Sequence, residues 1–460
     1  MPAVDALAGD TLVALATAPQ PAGVAIVRLS GPRAHAIACR LAGRSLLEPA
    51  RLTFCSLRDL DGALLDRGYV VVLPGPRTFT GEDVAELQVH GSPAVITRLI
   101  EVSCLLGARP ALPGEFSRRA FVHGRLDLTQ AEALLDLLSA RTEAARMAAL
   151  EHLDGGLCRA LADLRQPIVH ALADVEARLD FASEADVDAL DTERLAGDLD
   201  DLQRRIEALA GTARAARVRL HGARVVLYGA PNAGKSTLLN ALCGSERALV
   251  DARPGTTRDT IEVPADLAGL GVSWIDTAGV RDAEDPVEAR GAARATAEAR
   301  AADVVLWLQD AGAPLAELPD PGEPPPTQEH PPPQVLRVLS KCDRPRHPAP
   351  ETDPAWAAAL RLSVQDGVGL ESLRQAVARA VRGLAEARAD GVALHRARHT
   401  EALARAAESL ARAREALATL PLECVAADLR EAADALAEVT GVVAPSDVLA
   451  AVFGQFCIGK

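Results

Sequence analysis

The sequence predicts an α/β plus all-α protein. A doubly wound α/β domain is inserted into a discontinuous helical domain, and a mixed α/β domain precedes both. Three observations carry this. A strand, a glycine-rich loop and a helix follow one another midway along the chain. Apolar residues recur with helical period on both sides of that motif. The opening section instead alternates short apolar runs with turn residues. At roughly 100–200 residues per domain, 460 residues imply two to four domains.

Residues 1–124 form the first of them. Runs at 24–29, 69–73 and 84–89 read as strands closed by Ser30-Gly31-Pro32, Pro74-Gly75-Pro76 and His90-Gly91-Ser92-Pro93, and 94–106 reads as a helix before Gly107. Residues 125–217 take up a helical period, with Leu128, Ala131, Leu134, Leu135 and Leu138 along one face. Pro167 is expected to interrupt this stretch, and 180–191 is an acidic loop. Residues 218–383 alternate strand and helix signals, as a parallel sheet requires. Within them 313–334 is acidic and rich in proline, which predicts an extended, solvated surface insertion rather than an SH3-type ligand. Residues 384–460 are helical again, over 394–417 and 421–440.

Apolar residues make up 49% of the chain and aromatics 3%, so alanine-rich helices should dominate. A formal net charge of −14 argues against a protein that simply coats nucleic acid, though a local basic patch is compatible with it. The eight cysteines include no C-x-x-C pair, which speaks against zinc and thioredoxin-like chemistry and fits a reducing cytoplasm. The first ten residues lack the pattern of a secretion signal, and no apolar run is long enough for a membrane span.

Gly229-Ala230-Pro231-Asn232-Ala233-Gly234-Lys235-Ser236 matches G-x-x-x-x-G-K-S, and Thr237 opens the following helix. The glycines let backbone N–H groups wrap a phosphate, Lys235 reaches the outer phosphates, and the Ser236 hydroxyl ligates Mg²⁺. Asp276-Thr277-Ala278-Gly279 ends an apolar run, where Asp276 can hold Mg²⁺ through water and the Gly279 N–H can sense a γ-phosphate. Between them Gly255-Thr256-Thr257-Arg258-Asp259 offers a loop threonine to complete the metal shell. Ser340-Lys341-Cys342-Asp343 follows a predicted strand at 335–339. Asp343 is placed to accept from guanine N1–H and the 2-amino group, which adenine lacks, so GTP is preferred to ATP. Ser340 stands where asparagine is usual. Ser363-Val364-Gln365 would be the last base loop. Val280 occupies the position where Ras-like proteins carry a water-orienting glutamine and cannot serve that role. Glu288 is a candidate for it; the alternative is a solvated helix carboxylate.

Taken together these residues resemble the MnmE family of tRNA modification GTPases. The resemblance extends over nearly the whole chain. It rests further on Phe79-Thr80-Gly81-Glu82-Asp83, on P-G-E-F-S-R-R-A-F from Pro113, on R-L-D-L-T-Q-A-E-A from Arg125, and on Phe456-Cys457-Ile458-Gly459-Lys460. It implies an N-terminal dimerisation and folate-binding domain, a discontinuous helical domain and an inserted G domain. It also implies a homodimer that works in a heterotetramer with the FAD-binding partner MnmG. The product would be an aminomethyl or carboxymethylaminomethyl group on carbon five of a tRNA wobble uridine, with one carbon from a 5-formyl or 5,10-methylene tetrahydrofolate. The resemblance places GTP against Asn232, Ala233, Gly234, Lys235, Ser236 and Thr237, and against the loop Asp251, Ala252, Arg253, Pro254, Gly255, Thr256 and Thr257. It places Mg²⁺ on Ser236 and Thr257, and K⁺ on Asn232, Asp251, Arg253 and Thr256. Glu288 would position the attacking water. Arg28, Glu86, Arg125 and Lys460 would hold folate, with Arg125 where lysine is usual, and Cys457 would act in modification; buried packing is its plainer reading. Two other functions stay open. An RNA or ribosome assembly GTPase should carry a dedicated RNA-binding segment such as a KH loop, and none is found. A folate-binding scaffold would keep its modification activity without Glu288.

Overall fold

The computed structural model describes residues 9–19, 21–180, 191–244, 261–276, 287–322, 332–386, 394, 396–443 and 445–460. The chain divides into two compact units, Met1–Leu135 with Leu436–Lys460, and Asp136–Ala435.

In the first unit β1 (Thr11–Leu15), β2 (Ala22–Ser30), β3 (Thr53–Arg58), β4 (Leu64–Leu73), β5 (Val84–Gly91) and β6 (Ala108–Pro110) form one sheet, ordered β3-β4-β5-β2-β1-β6. All neighbours are antiparallel except β1 and β6. Strand alternation separates its two faces. Val27, Leu29, Val70, Val72 and Leu87 point to one face and bury against Ile37, Leu41, Leu99 and Val102 of the helices Ala34–Leu41 and Pro93–Leu105. The intervening positions Arg28, Ser30 and Glu86 therefore share the opposite face. Leu128 and Ala131 pack on Val452, Phe453 and Phe456, next to the final turn of the chain.

In the second unit β7 (Ala223–Gly229), β8 (Ile261–Leu267), β9 (Leu270–Asp276), β10 (Val304–Asp310), β11 (Gln334–Ser340) and β12 (Leu360–Arg361) form a sheet ordered β12-β11-β10-β7-β9-β8. Five strands are parallel, as the strand–helix alternation predicts, but β8 runs antiparallel to β9. The cause is local. Ala268 and Gly269 have φ of 55° and 85°, the left-handed pair of a two-residue hairpin turn, which returns the chain at once and leaves no room for a crossover helix. The helices Lys235–Cys243 and Leu370–Glu386 cover one face through Leu238, Leu242, Leu373 and Val377. Val287–Arg300 contributes Ala299 to the other, with Val226, Tyr228 and Val305.

Pro167 does not break its helix, which runs unbroken over Gly156–Asp180. The buried anchors Leu157, Leu161, Leu164, Ile168 and Val175 hold both halves on one line, and this burial outweighs one lost backbone bond. The helix Thr192–Ala210 carries a ridge of Leu195, Leu199, Leu202 and Ile206. It packs along Ala397–Thr419, whose buried side is mostly small: Ala402, Ala406, Ala407, Ala413 and Ala416 beside Leu403 and Leu410. At the start of β10, Asp303 is 2% exposed and joins the helix Ala213–His221 to the sheet. It accepts from the Arg224 N–H at 2.8 Å, from Arg214 Nε at 3.4 Å and from Arg217 Nη2.

The acidic loop at 180–191 lies outside the described residues over 181–190. Of the proline-rich stretch, 313–322 and 332–334 are described; they form no helix or strand until Gln334 opens β11, and Pro319 O accepts from the Tyr228 hydroxyl at 3.1 Å. Among the described residues no helix is long and apolar enough to cross a membrane.

Candidate functional site

The second unit gathers a glycine-rich loop, a carboxylate and a small cavity along the C-terminal edge of its parallel strands. β7 ends at Gly229, where a Cβ would meet Leu308 O at 2.3 Å, so only glycine lets the loop leave the sheet there. Asn232 and Gly234 take φ of 62° and 96°, and the helix Lys235–Cys243 starts at once. The N–H groups of its first turn have no partner within the helix and form an anion site.

Lys235 is buried, and its Nζ donates to Gly229 O at 2.8 Å and Ala230 O at 2.9 Å. Burial pulls its pKa below the ordinary lysine value, with the Asp276 carboxylate pulling the other way. Ser236 Oγ donates to Asp276 Oδ2 at 2.7 Å, and Asp276 ends β9 at 1% exposure. A hydroxyl and a carboxylate in contact beside an anion-binding helix start are the donor set that a hard cation takes, so these residues fit Mg²⁺.

β11 ends in the loop that begins at Ser340. Ser340 Oγ donates to Ala233 O at 2.7 Å, and Lys341 Nζ donates to Asn232 O at 2.6 Å and to Asp310 Oδ2 at 2.8 Å. Burial would raise the pKa of Asp310, but Lys341 and the Gly312 N–H hold it below the usual carboxylate range. Cys342 points away from the pocket wall, its Sγ donating to Leu339 O. Asp343 Oδ1 accepts from Ser363 Oγ at 2.8 Å. A cavity of about 150 Å³ opens between Gly234, Thr237, Ser340, Lys341 and Asp343 on one side and Val364 and Gln365 on the other. The structure thus brings together Asn232, Ala233, Gly234, Lys235, Ser236, Thr237 and Asp276 with Ser340, Lys341, Asp343, Ser363, Val364 and Gln365. Sequence reasoning missed Asp310; the sign was an aspartate closing the apolar run Val304–Asp310. The expected ligands Asp251, Ala252, Arg253, Pro254, Gly255, Thr256 and Thr257, and Thr277, Ala278 and Gly279, lie outside the described residues. Glu288 falls in the first turn of the helix Val287–Arg300; its side chain also lies outside them.

The first unit holds the second group. Arg28 and Glu86 are register partners on β2 and β5, and Arg28 Nε donates to Glu86 Oε1 at 2.9 Å. Both are about one-fifth exposed, so the pair is reachable from outside. Lys460 is half-buried; burial first, and then the charge of Arg28, push its pKa down. Gly459 makes this approach possible, because with φ of 97° a Cβ there would meet Leu15 O at 2.0 Å. Arg28, Glu86 and Lys460 therefore form a cluster of opposite charges on one face of the sheet. Arg125 is exposed and donates from Nε to Thr78 O at 3.1 Å, at the foot of the Phe79–Asp83 segment. Cys457 is exposed, contrary to the packing reading, and its carbonyl accepts from Lys460 N at 3.3 Å.

Two family models match the chain: the GTP-binding protein TrmE N-terminus over residues 11–125 and the MnmE helical domain over residues 128–457. A tRNA modification GTPase MnmE of Alkalilimnicola ehrlichii is 43% identical over 99% of this chain and 100% of its own. That of Thermus thermophilus is 43% identical over 98% and 99%. That of Methylorubrum populi is 46% identical over 98% and 98%.

Proposed function

Because the chain belongs to the MnmE family of tRNA modification GTPases, we propose that it hydrolyses GTP as part of modifying carbon five of tRNA wobble uridine. The product is an aminomethyl or carboxymethylaminomethyl group, made together with the FAD-binding partner MnmG. The observation that carries the nucleotide half is the meeting of Lys235, Ser236 and Asp276 with the Asp343 pocket at one sheet edge.

Within that reading each residue has a task. The first-turn N–H groups of the helix Lys235–Cys243 and the Lys235 ammonium receive the phosphates, and Lys235 leaves Gly229 O and Ala230 O to do so. Asp343 accepts the donors of guanine while Ser363 Oγ donates to its Oδ1 and holds the carboxylate in place. Ser236 and Thr257 would hold Mg²⁺; Asn232, Asp251, Arg253 and Thr256 would hold K⁺. Those ions supply positive charge against the phosphates. Glu288 orients the attacking water, a duty that Val280 cannot perform. Paired G domains of a homodimer complete the site. Arg28, Glu86, Arg125 and Lys460 bind a tetrahydrofolate derivative, which supplies a one-carbon unit. The exposure of Cys457 beside Lys460 favours a part for its thiol in modification.

The test is nucleoside mass spectrometry of tRNA from cells lacking this protein, complemented with wild type or Cys457→Ser. The expected result is loss of a five-substituted wobble uridine that wild type alone restores. Restoration by both would leave Cys457 without a chemical role. An unchanged nucleoside profile would overturn the modification reading in favour of an assembly GTPase.

A further inference from the structure

Ser340 ends β11 at 4% exposure and forms part of the wall of the base cavity. A hydroxyl has one hydrogen to donate. Here it goes to a carbonyl of the phosphate loop, Ala233 O at 2.7 Å, with Gln309 O nearby at 3.2 Å. The neighbouring cation is engaged too, since Lys341 Nζ is held by Asp310 and by Asn232 O. Asp343 offers acceptors only. Guanine presents donors on its Watson–Crick edge and the acceptors N7 and O6 on its Hoogsteen edge. A side-chain amide at position 340 could give one hydrogen to Ala233 O and a second to the base. A hydroxyl that has spent its hydrogen cannot.

With guanine selected through Asp343, as the proposed function has it, we infer that Ser340 is a positioning residue that pins its own loop to the Gly229–Ser236 loop and has no hydrogen left to give to N7. The inference deepens the GTP-binding reading and rests on it. Its consequence is a specificity particular to this chain: a purine with C–H in place of N7 is accepted as well as guanine, while one without the 2-amino group is not.

The experiment is isothermal titration of the full-length protein, in K⁺ and Mg²⁺, with GTP, 7-deaza-GTP, ITP and ATP. Wild type should bind GTP and 7-deaza-GTP within about twofold of each other and ITP about tenfold more weakly, the loss of one hydrogen bond to a charged group. Ser340→Asn should open a gap of about tenfold between GTP and 7-deaza-GTP, a change in ratio that a merely structural role would not produce. Ser340→Ala should weaken both by one common factor. A wild-type preference for GTP over 7-deaza-GTP of about tenfold or more would overturn the inference, and so would an unchanged ratio in Ser340→Asn. If Ser340→Asn does not fold, the wild-type ratio decides alone. Equal binding of GTP and ATP would instead strike the underlying guanine reading.

Discussion

Replacing Asp303 with alanine should loosen the second unit by an amount that its three donors allow to be worked out. The Arg224 N–H at 2.8 Å is a part-buried backbone donor that loses its partner once the carboxylate is gone, which costs about 1–3 kcal/mol. Arg214 and Arg217 are 24% and 34% exposed and can turn to water. Their share is that of screened pairs, about 0.5 kcal/mol each. The sum is about 3 kcal/mol. With a urea slope of about 3 kcal/mol per molar for a unit of this size, the midpoint should fall by about 1 M. The assay is unfolding in urea followed by tryptophan fluorescence. Trp274, Trp307 and Trp356 are the chain's three tryptophans and all belong to this unit, so the signal reports it alone. Arg217→Ala should move the midpoint by no more than about 0.2 M, from its small screened share. High salt should shrink the Arg217 effect and leave most of the Asp303 effect, since only the former is screened. A shift for Asp303→Ala below about 0.3 M would refute the claim that this carboxylate ties the Ala213–His221 helix to the sheet.

Two further outcomes follow from the nucleotide site. Glu288→Ala should lower K⁺-stimulated GTP turnover by about a hundredfold or more while GTP affinity is unchanged; unchanged turnover would remove Glu288 from hydrolysis. Burial holds Lys235 below its ordinary 10.5, and phosphate charge should raise it. Below the depressed value Lys235 is charged with and without GTP, and binding moves no proton. Between that value and 10.5 the free protein is partly neutral, so GTP binding should take up protons and weaken as pH rises. Unfolding has the same sign in that window: the unfolded chain holds more protons, so stability rises with pH through it. Titration in buffers of different ionisation enthalpy reads the uptake, and equal heats just below pH 10.5 would contradict it.

The phosphate loop was legible in the sequence because its chemistry is contiguous: eight adjacent residues carry the glycines, the lysine and the serine. The three strands read in the opening section were legible for a related reason, since Ser30-Gly31, Pro74 and Gly91 punctuate them where the chain must turn. What escaped was set by distance or by burial. Asp303 meets Arg217 across 86 positions, with no local pattern to announce it. Asp310 looked like an ordinary strand end until Lys341 arrived from the next strand. Pro167 carried a valid local rule that five buried side chains on its own helix overrode. The antiparallel β8 was the reverse case: Ala268-Gly269 announced a hairpin, and the strand–helix alternation around it drew the reading toward a crossover.

The packing of the leucine ridge of Thr192–Ala210 on the alanine side of Ala397–Thr419 sets which sequence changes this region can absorb. Alanine is already the smallest side chain that favours a helix, so Ala402, Ala406 and Ala413 have almost nothing to lose by truncation; glycine there costs about 1 kcal/mol of helix propensity. Enlargement is the dangerous direction. One added methylene at those positions drives the helices apart or forces a leucine off its rotamer, at about 1–3 kcal/mol. Mutational drift should therefore run freely through the leucines, which can exchange with methionine or isoleucine, and stall at the alanines. The residues that look least informative in this chain are, in that region, the ones least free to vary.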